Sequence, residues 1–267
     1  MNPERPLARL QHHLSHLKRV AVAFSGGVDS TLLLRVACDT LGKDQVVALT
    51  ACTELVPRRE QQEAEELARK LGVRHERLHE QVLSFRAVAS NPRDRCYHCK
   101  HLLFTLFRKR CDELGYTHLV DGTNSDDLGE DRPGLKALKE LQVKSPLAES
   151  GLSKQNVREL SRKLGLPTAE QPAFACLASR IPFGTVLTAE NLSRVERCED
   201  FLRDHGFHNV RVRYHDTIAR IELENEDMQR IMEPALSREL VERFREYGFT
   251  YVTLDLQGFR SGSMSEV

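Results

Sequence analysis

The run RVAVAF, residues 19–24, passes directly into SGGVDS, residues 25–30, and on into DSTLLLRVACDTL, residues 29–41. A short apolar run without alternation is the pattern of a strand buried on both faces. Two adjacent glycines let the backbone turn tightly and bring bare N–H groups close to a ligand. Strand, glycine turn and helix in that order open an α/β fold. The alternation then repeats. QVVALTA (45–51), RHERLH (74–79) and a segment of THLVDGTN (117–124) ended by Gly122 read as strands, and RREQQEAEELARKLG (58–72) as a charged helix closed by Gly72. Residues 4–18 set Leu7, Leu10, Leu14 and Leu17 at helical spacing. The expectation is a parallel twisted sheet with helices on both faces.

After about residue 186 the pattern changes. TAENLSRVERCEDFLRDHG (188–206) opens on a capping threonine and reads as a helix to Gly206. NVRVRYHDTIARIELE (209–224) alternates on either side of a turn at His215-Asp216, a hairpin; a helical segment to about Tyr247 and the strand FTYVTLDL follow. The chain is expected to divide into an α/β domain over 1–186 and a small α+β domain over 187–267.

With 267 residues, 39 Lys+Arg and 39 Asp+Glu, the formal net charge is zero, which argues against a general attraction to nucleic acid or membrane. A 40% hydrophobic and 29% charged chain fits a soluble globular protein. The opening MNPERPLARLQHHLSHLKR lacks the apolar core of a signal peptide, and no apolar run approaches a membrane span, so the expected location is cytoplasmic. Seven cysteines there suggest reduced thiols, metal binding or catalysis rather than disulfides.

The N–H groups of the glycine turn and the helix start form an anion site, to which Ser25, Ser30 and Thr31 can add hydroxyl donors. Asp29 is out of place beside phosphate unless it orients the loop or works through a metal. The turn lacks GK[ST] and is not a Walker A loop. DGTNSDD (121–127) lies at the end of the fourth strand, the edge where open α/β sheets bind ligands, which adds Gly122 to the nucleotide site. Asp126 or Asp127 could hold Mg²⁺ through water; the plainer reading is a polar Asx-rich turn. In RCYHCK (95–100), Cys96 and Cys99 form a C-x-x-C pair. Such a pair suits zinc with His98 or His101, a redox dithiol, or an iron–sulfur cluster with Cys176 as third thiolate, one iron left open. Cys38, Cys52, Cys111 and Cys198 read as buried inert thiols.

SGGVDS after a strand resembles the PP-loop of the ATP pyrophosphatases, which cleave ATP between the α and β phosphates, adenylate an oxygen and let a nucleophile displace AMP. The resemblance implies that Ser25, Gly26, Gly27, Asp29 and Ser30 hold the leaving pyrophosphate, with Leu49 and Thr50 near adenine. PAFACLASRIPFGT (172–185), DGTNSDD and the tail DLQGFRSGSM together resemble the LarE family over essentially the whole chain. That resemblance implies an ATP-dependent sulfur transferase acting on pyridinium-3,5-biscarboxylic acid mononucleotide, on the way to the nickel-pincer nucleotide of lactate racemase. In the single-cysteine branch the cysteine matching Cys176 gives up its own sulfur and becomes dehydroalanine. Cys96 and Cys99 depart from that branch and resemble the three-cysteine branch, in which a [4Fe-4S] cluster on Cys96, Cys99 and Cys176 delivers sulfide; the sulfur donor is not named by the sequence. A thiolate beside Arg180 would have a lowered pKa.

In the hairpin, alternation puts Arg211 and Arg213 on one face, and a turn centred on His215-Asp216 sets Arg220 opposite Arg211. Like charges facing each other call for an anion, and the substrate phosphate is the candidate; the plainer reading is a solvated face neutralised by Glu222 and Glu224. Relatives with this small domain form symmetric oligomers, so a homo-oligomer is expected. Two competing readings are another PP-loop enzyme such as a tRNA thiolase, which a basic surface stripe would favour, and a nucleotide- or zinc-binding module without catalysis, which would release no AMP.

Overall fold

The computed structural model describes residues 4–129, 133–172 and 175–260. Ala173 and Phe174 of the cysteine stretch, and the end of the DLQGFRSGSM tail from Ser261, lie outside them. In chain order the elements are α1 (Glu4–Leu17), β1 (Val20–Ala23), α2 (Val28–Leu41), β2 (Val46–Cys52), α3 (Arg58–Leu71), β3 (Arg74–His79), α4 (Arg86–Ala89), α5 (Arg95–Glu113), β4 (His118–Val120), α6 (Pro133–Glu140), α7 (Pro146–Glu149), α8 (Lys154–Lys163), α9 (Ala189–Asp204), β5 (Arg211–His215), β6 (Ile218–Glu222), α10 (Met228–Ile231), α11 (Pro234–Glu246) and β7 (Tyr251–Leu254). They form two compact units: one from residues up to Val82 and from Asp94 to the residues before Ala175, the other from Leu83–Arg93 and from Ala175 onward.

The first unit is a parallel sheet in the order β3-β2-β1-β4. The central strands β1 and β2 are almost wholly apolar because both their faces are covered, whereas the edge strand β3, RHERLH, is charged and partly exposed. Val20, Val22, Val46, Ala48 and Val120 point to one core, shared with Leu10 and Leu14 of α1, Leu32 and Leu33 of α2, Ala64 and Ala68 of α3, and Val157 and Leu160 of α8. Ala21, Val47, Leu49 and Leu119 point to the other, with Phe104, Phe107 and Cys111 of α5 and Leu138 of α6. Because Val22 pairs with Val120, β1 and β4 end level, and the residues after each emerge side by side at the carboxyl edge.

The second unit holds the sheet β5-β6-β7, antiparallel between β5 and β6 and parallel between β6 and β7. α9 starts on a capping box between Thr188 and Asn191 and buries Val195, Cys198 and Leu202. Residues 83–93 join this unit through hydrogen bonds that a linear reading has no means to see: Asn91 Nδ2 donates to the carbonyls of Ile181 (3.3 Å) and Pro182 (2.8 Å), and Leu187 N donates to the Ala89 carbonyl (2.7 Å). The same bonds bring the stretch after Ala175 into this unit. The hairpin register differs from the expectation. His215 pairs with Ile218, so the turn is Asp216-Thr217, with Asp216 at φ +53°, a left-handed conformation that Asp tolerates. Arg220 therefore faces Arg213, and Arg211 faces Glu222.

Candidate functional site

The glycine turn is built by its own backbone constraints. Gly26 has φ +78°, and a Cβ there would sit 3.1 Å from Ala64 on α3. Ser30 Oγ donates to the Gly27 carbonyl (3.2 Å), meets Ser25 Oγ (3.1 Å) and accepts from Ser25 N (3.3 Å), while Gly27 N donates to Ser25 Oγ (3.3 Å). The serines thus shape the loop. Thr31 is fully buried, and its Oγ1 makes no hydrogen bond among the described residues. Thr50 Oγ1 donates to the Phe24 carbonyl (2.6 Å) and meets His75 Nε2 (2.8 Å), tying the entry of the turn to β2 and β3. Burial lowers the pKa of His75. The Leu49 side chain is fully buried in the core. Gly122 closes the other side: a Cβ there would lie 2.9 Å from Ser30 N and 3.2 Å from Asp29 C. Only glycine permits that backbone approach.

The oddly placed carboxylate of Asp29 has partners. Lys154 Nζ, at the start of α8, donates to Asp29 Oδ2 (2.5 Å), and Asn124 Nδ2 donates to Asp29 Oδ1 (3.2 Å). Lys154 N donates to Asp126 Oδ2 (2.9 Å), and Asn124 N to Asp127 Oδ2 (3.0 Å). DGTNSDD is therefore both an Asx-type turn and the anchor of α8 and Asp29. Its carboxylates suit Mg²⁺ held through water; Asp126 is also engaged in capping α8. Asp121 is buried, which pushes its carboxyl pKa up against hydrogen bonds from Ser145 (2.6 Å) and Thr123 (2.5 Å). Sequence reasoning missed Lys154, Asn124, Asp121 and His75. Only the Ser153-Asn156 capping pattern beside Lys154 could have drawn attention to that lysine.

Cys96 and Cys99 lie one turn apart at the start of α5, the first exposed, the second half-buried. His98 Nε2 meets Asp94 Oδ2 at 3.2 Å. Two thiols on one helix face fit half of a metal site, and no group of three metal-ligating side chains is assembled among the described residues. The third thiol, Cys176, belongs to the second unit, half-buried at the start of the short 3-10 turn Leu177–Arg180. Arg180 does not stand there as an exposed cation. It is fully buried, donating Nε to Glu199 Oε1 (2.9 Å) and Nη2 to Glu199 Oε2 (3.0 Å), while Nη1 donates to the carbonyls of Ala175 (2.6 Å) and Cys176 (3.1 Å).

The hairpin arginines sit in the same unit, two of them withdrawn from solvent and Arg220 partly exposed. Arg211 and Arg213 are buried; Arg213 Nη2 donates to Glu222 Oε2 (2.6 Å), Arg220 Nη2 lies 3.3 Å from Glu222 Oε1, and Arg220 Nη1 pairs with Asp255. Glu199 also takes Arg203 (3.0 Å) and the Val212 N–H (3.0 Å). Burial opposes ionisation of Glu199, but Arg180 above all, then Arg203 and Arg211, outweigh it and hold the pKa at about 2. Burial, with Arg180 next, lowers Arg211 to about 10. Arg213 Nε makes no hydrogen bond among the described residues. Guanidinium groups outnumber carboxylates here, a setting suited to an anion.

A parallel sheet whose first turn is SGGVDS, closed by a glycine from the neighbouring strand, defines a PP-loop nucleotide-binding α/β protein. The comparisons agree. The NAD synthase family model matches residues 8–93. A protein of Synechocystis sp. is 42% identical over 99% of this chain and 98% of its own. The pyridinium-3,5-bisthiocarboxylic acid mononucleotide synthase of Lactiplantibacillus plantarum is 40% identical over 97% of this chain and 93% of its own. The chain belongs to the family of that synthase, the LarE sulfur transferases of the PP-loop superfamily. It is an enzyme of this kind, and the superfamily implies use of ATP with Mg²⁺.

Proposed function

We propose that the protein uses ATP to convert a carboxylate of pyridinium-3,5-biscarboxylic acid mononucleotide into a thiocarboxylate, in nickel-pincer nucleotide synthesis in the cytoplasm. The observation that carries the reading is the Gly26-Gly27 turn at the start of α2, closed by Gly122, a cradle for a leaving pyrophosphate. A carboxylate oxygen attacks the α phosphorus of ATP, and pyrophosphate leaves onto the turn, where Ser25, Gly26, Gly27, Asp29 and Ser30 surround it. A sulfur nucleophile then adds to the acyl carbon and expels AMP. Leu49 and Thr50 flank adenine, and Asp127 is the carboxylate for water-held Mg²⁺. Arg211, Arg213 and Arg220 bind the substrate phosphate; Arg213 Nε, which makes no hydrogen bond among the described residues, supports this.

The cysteine pattern supports sulfur delivery by a [4Fe-4S] cluster on Cys96, Cys99 and Cys176, which would supply a sulfide nucleophile. The alternative route is the one in which Cys176 gives up its own sulfur. The reading extends to a homo-oligomer, supported by exposed apolar residues Val186, Met232, Tyr251 and Leu256. No helix among the described residues is long and apolar enough to cross a membrane.

Anaerobically purified protein should release AMP and pyrophosphate with the pyridinium mononucleotide and not with tRNA. Release of neither product overturns the reading. Iron and acid-labile sulfide in the same preparation decide the route: their presence supports the cluster, while loss of H₂S from the protein mass after turnover supports sacrifice of Cys176.

A further inference from the structure

Three histidines fall within HHLSH, residues 12–16, in the second half of α1, and none of them belongs to the nucleotide site. His12, His13 and His16 line a cleft of about 330 Å³ whose other wall carries Lys144 and Glu149. His12 and His16 are exposed and stand one helical turn apart on the same face. Their rings meet edge to face, with centroids 4.4 Å apart and planes at 70°. His16 Nδ1 lies 2.8 Å from the His12 carbonyl oxygen, which also accepts from Ser15 Oγ (2.7 Å). A carbonyl only accepts, so Nδ1 carries the proton, and neutral His16 keeps Nε2 as a bare lone pair. His13 is turned elsewhere: its Nδ1 is 3.5 Å from Ser150 Oγ and 3.9 Å from Glu149 Oε2.

A solvated ring pair would account for the edge-to-face contact alone. It does not account for a ring whose tautomer is fixed, so that its free nitrogen stands beside a second imidazole in a cleft. Two rings bound through nitrogen to one ion at about 2.1 Å have centroids roughly 4.5–5.5 Å apart, so the observed pair needs only a small rotation to share an ion. Lys144 and Glu149 carry opposite charges on the cleft wall, which leaves the neutral imidazole nitrogens to decide the ligand. Imidazole suits borderline first-row ions, not hard cations such as Mg²⁺. We propose that His12 and His16 chelate a divalent first-row transition metal ion of the Ni²⁺, Cu²⁺ or Zn²⁺ class, with water in the remaining positions. Two protein ligands make this a site for reversible loading; a closed structural centre would use about four. The hydrogen bond from His16 Nδ1 to the backbone orients the ring before the ion arrives, the role outer partners play at metal-bound histidines.

The probe is Ni²⁺ alone, titrated calorimetrically into the full-length chain. Iodoacetamide first caps the accessible thiols Cys96, Cys99 and Cys176, which would otherwise compete for the ion. The capped chain should bind Ni²⁺ at a single site. His12→Ala and His16→Ala should each weaken that binding at least about tenfold, since even an outer-shell partner is worth that much. Both side chains are exposed, and circular dichroism checks that the variants stay folded. His13→Ala should leave the affinity unchanged. The order of ions supplies a test that needs no variant: Ni²⁺ should bind more tightly than Co²⁺, and Co²⁺ more tightly than Mn²⁺, with Mg²⁺ not bound. Absence of Ni²⁺ binding, undiminished binding in the His12 and His16 variants, or Mg²⁺ held as tightly as Ni²⁺ overturns the proposal. The titration uses neither ATP nor substrate, so it and AMP release succeed or fail independently.

Discussion

At the residue scale, the sharpest constraints are backbone approaches. Gly122→Ala would push a methyl against Ser30 N, a backbone atom that cannot step aside. The variant should lose about 1–3 kcal/mol of stability in denaturant titration and much of its ATP affinity. Lys154→Met should raise the KM for ATP more than it lowers the denaturation midpoint. The Lys154–Asp29 pair is partly exposed and worth about 1 kcal/mol or less, whereas its place beside the turn bears on nucleotide charge. Arg213→Lys keeps the charge but loses the fork that holds Glu222 (2.6 Å), so substrate KM should rise with ATP KM unchanged. An equal change in both constants would count against the phosphate reading. Gly26, Gly27 and Asp29 were legible from SGGVDS because local backbone demands write themselves into local sequence. Lys154 was not, since nothing near it in the chain announces that Asp29 lies across the sheet edge.

At the element scale, α9 is fastened twice. The Thr188 capping box supports its start, and Thr188→Ala should cost about 1 kcal/mol. Glu199 fastens its middle to the turn after Cys176 and to β5. Glu199 is ionised in the folded state down to about pH 2 but takes a proton near 4.5 once unfolded. Below 4.5 the unfolded chain therefore binds the extra proton, and the Glu199 contribution, fully present above that pH, is lost as pH falls through about 2. Acid titration of stability should show this loss, and Glu199→Gln should flatten it. The variant should also cost about 3 kcal/mol or more, because Arg180 stays buried with its charge uncompensated. Strands, helices and the hairpin were readable from periodicity. The hairpin register was not: moving the turn to Asp216-Thr217 exchanges the partner of Arg211 from Arg220 to Glu222 without changing either face.

At the scale of the whole molecule, the cysteines sort by burial. Burial pushes the thiol pKa of Cys38 and Cys111 up to about 11 and that of Cys198 further up, and Cys52 is buried as well. Alkylation of the native chain near pH 8 should label Cys96, Cys99 and Cys176, and the other four only after unfolding. The proposed oligomer should appear in size-exclusion chromatography and weaken when Leu256, 85% exposed, is replaced by Asp. The amino-acid sequence by itself determined the parallel α/β sheet, the phosphate-type turn and the family, because apolar periodicity and glycine spacing act over a few residues. Tertiary structure alone decided that Asp29 is paired with Lys154, that Arg180 serves a carbonyl and not a thiolate, and that residues 83–93 join the C-terminal unit. Those outcomes depend on which distant segments share a buried volume, and the energy of a buried charge is set by neighbours that the chain brings together only when folded.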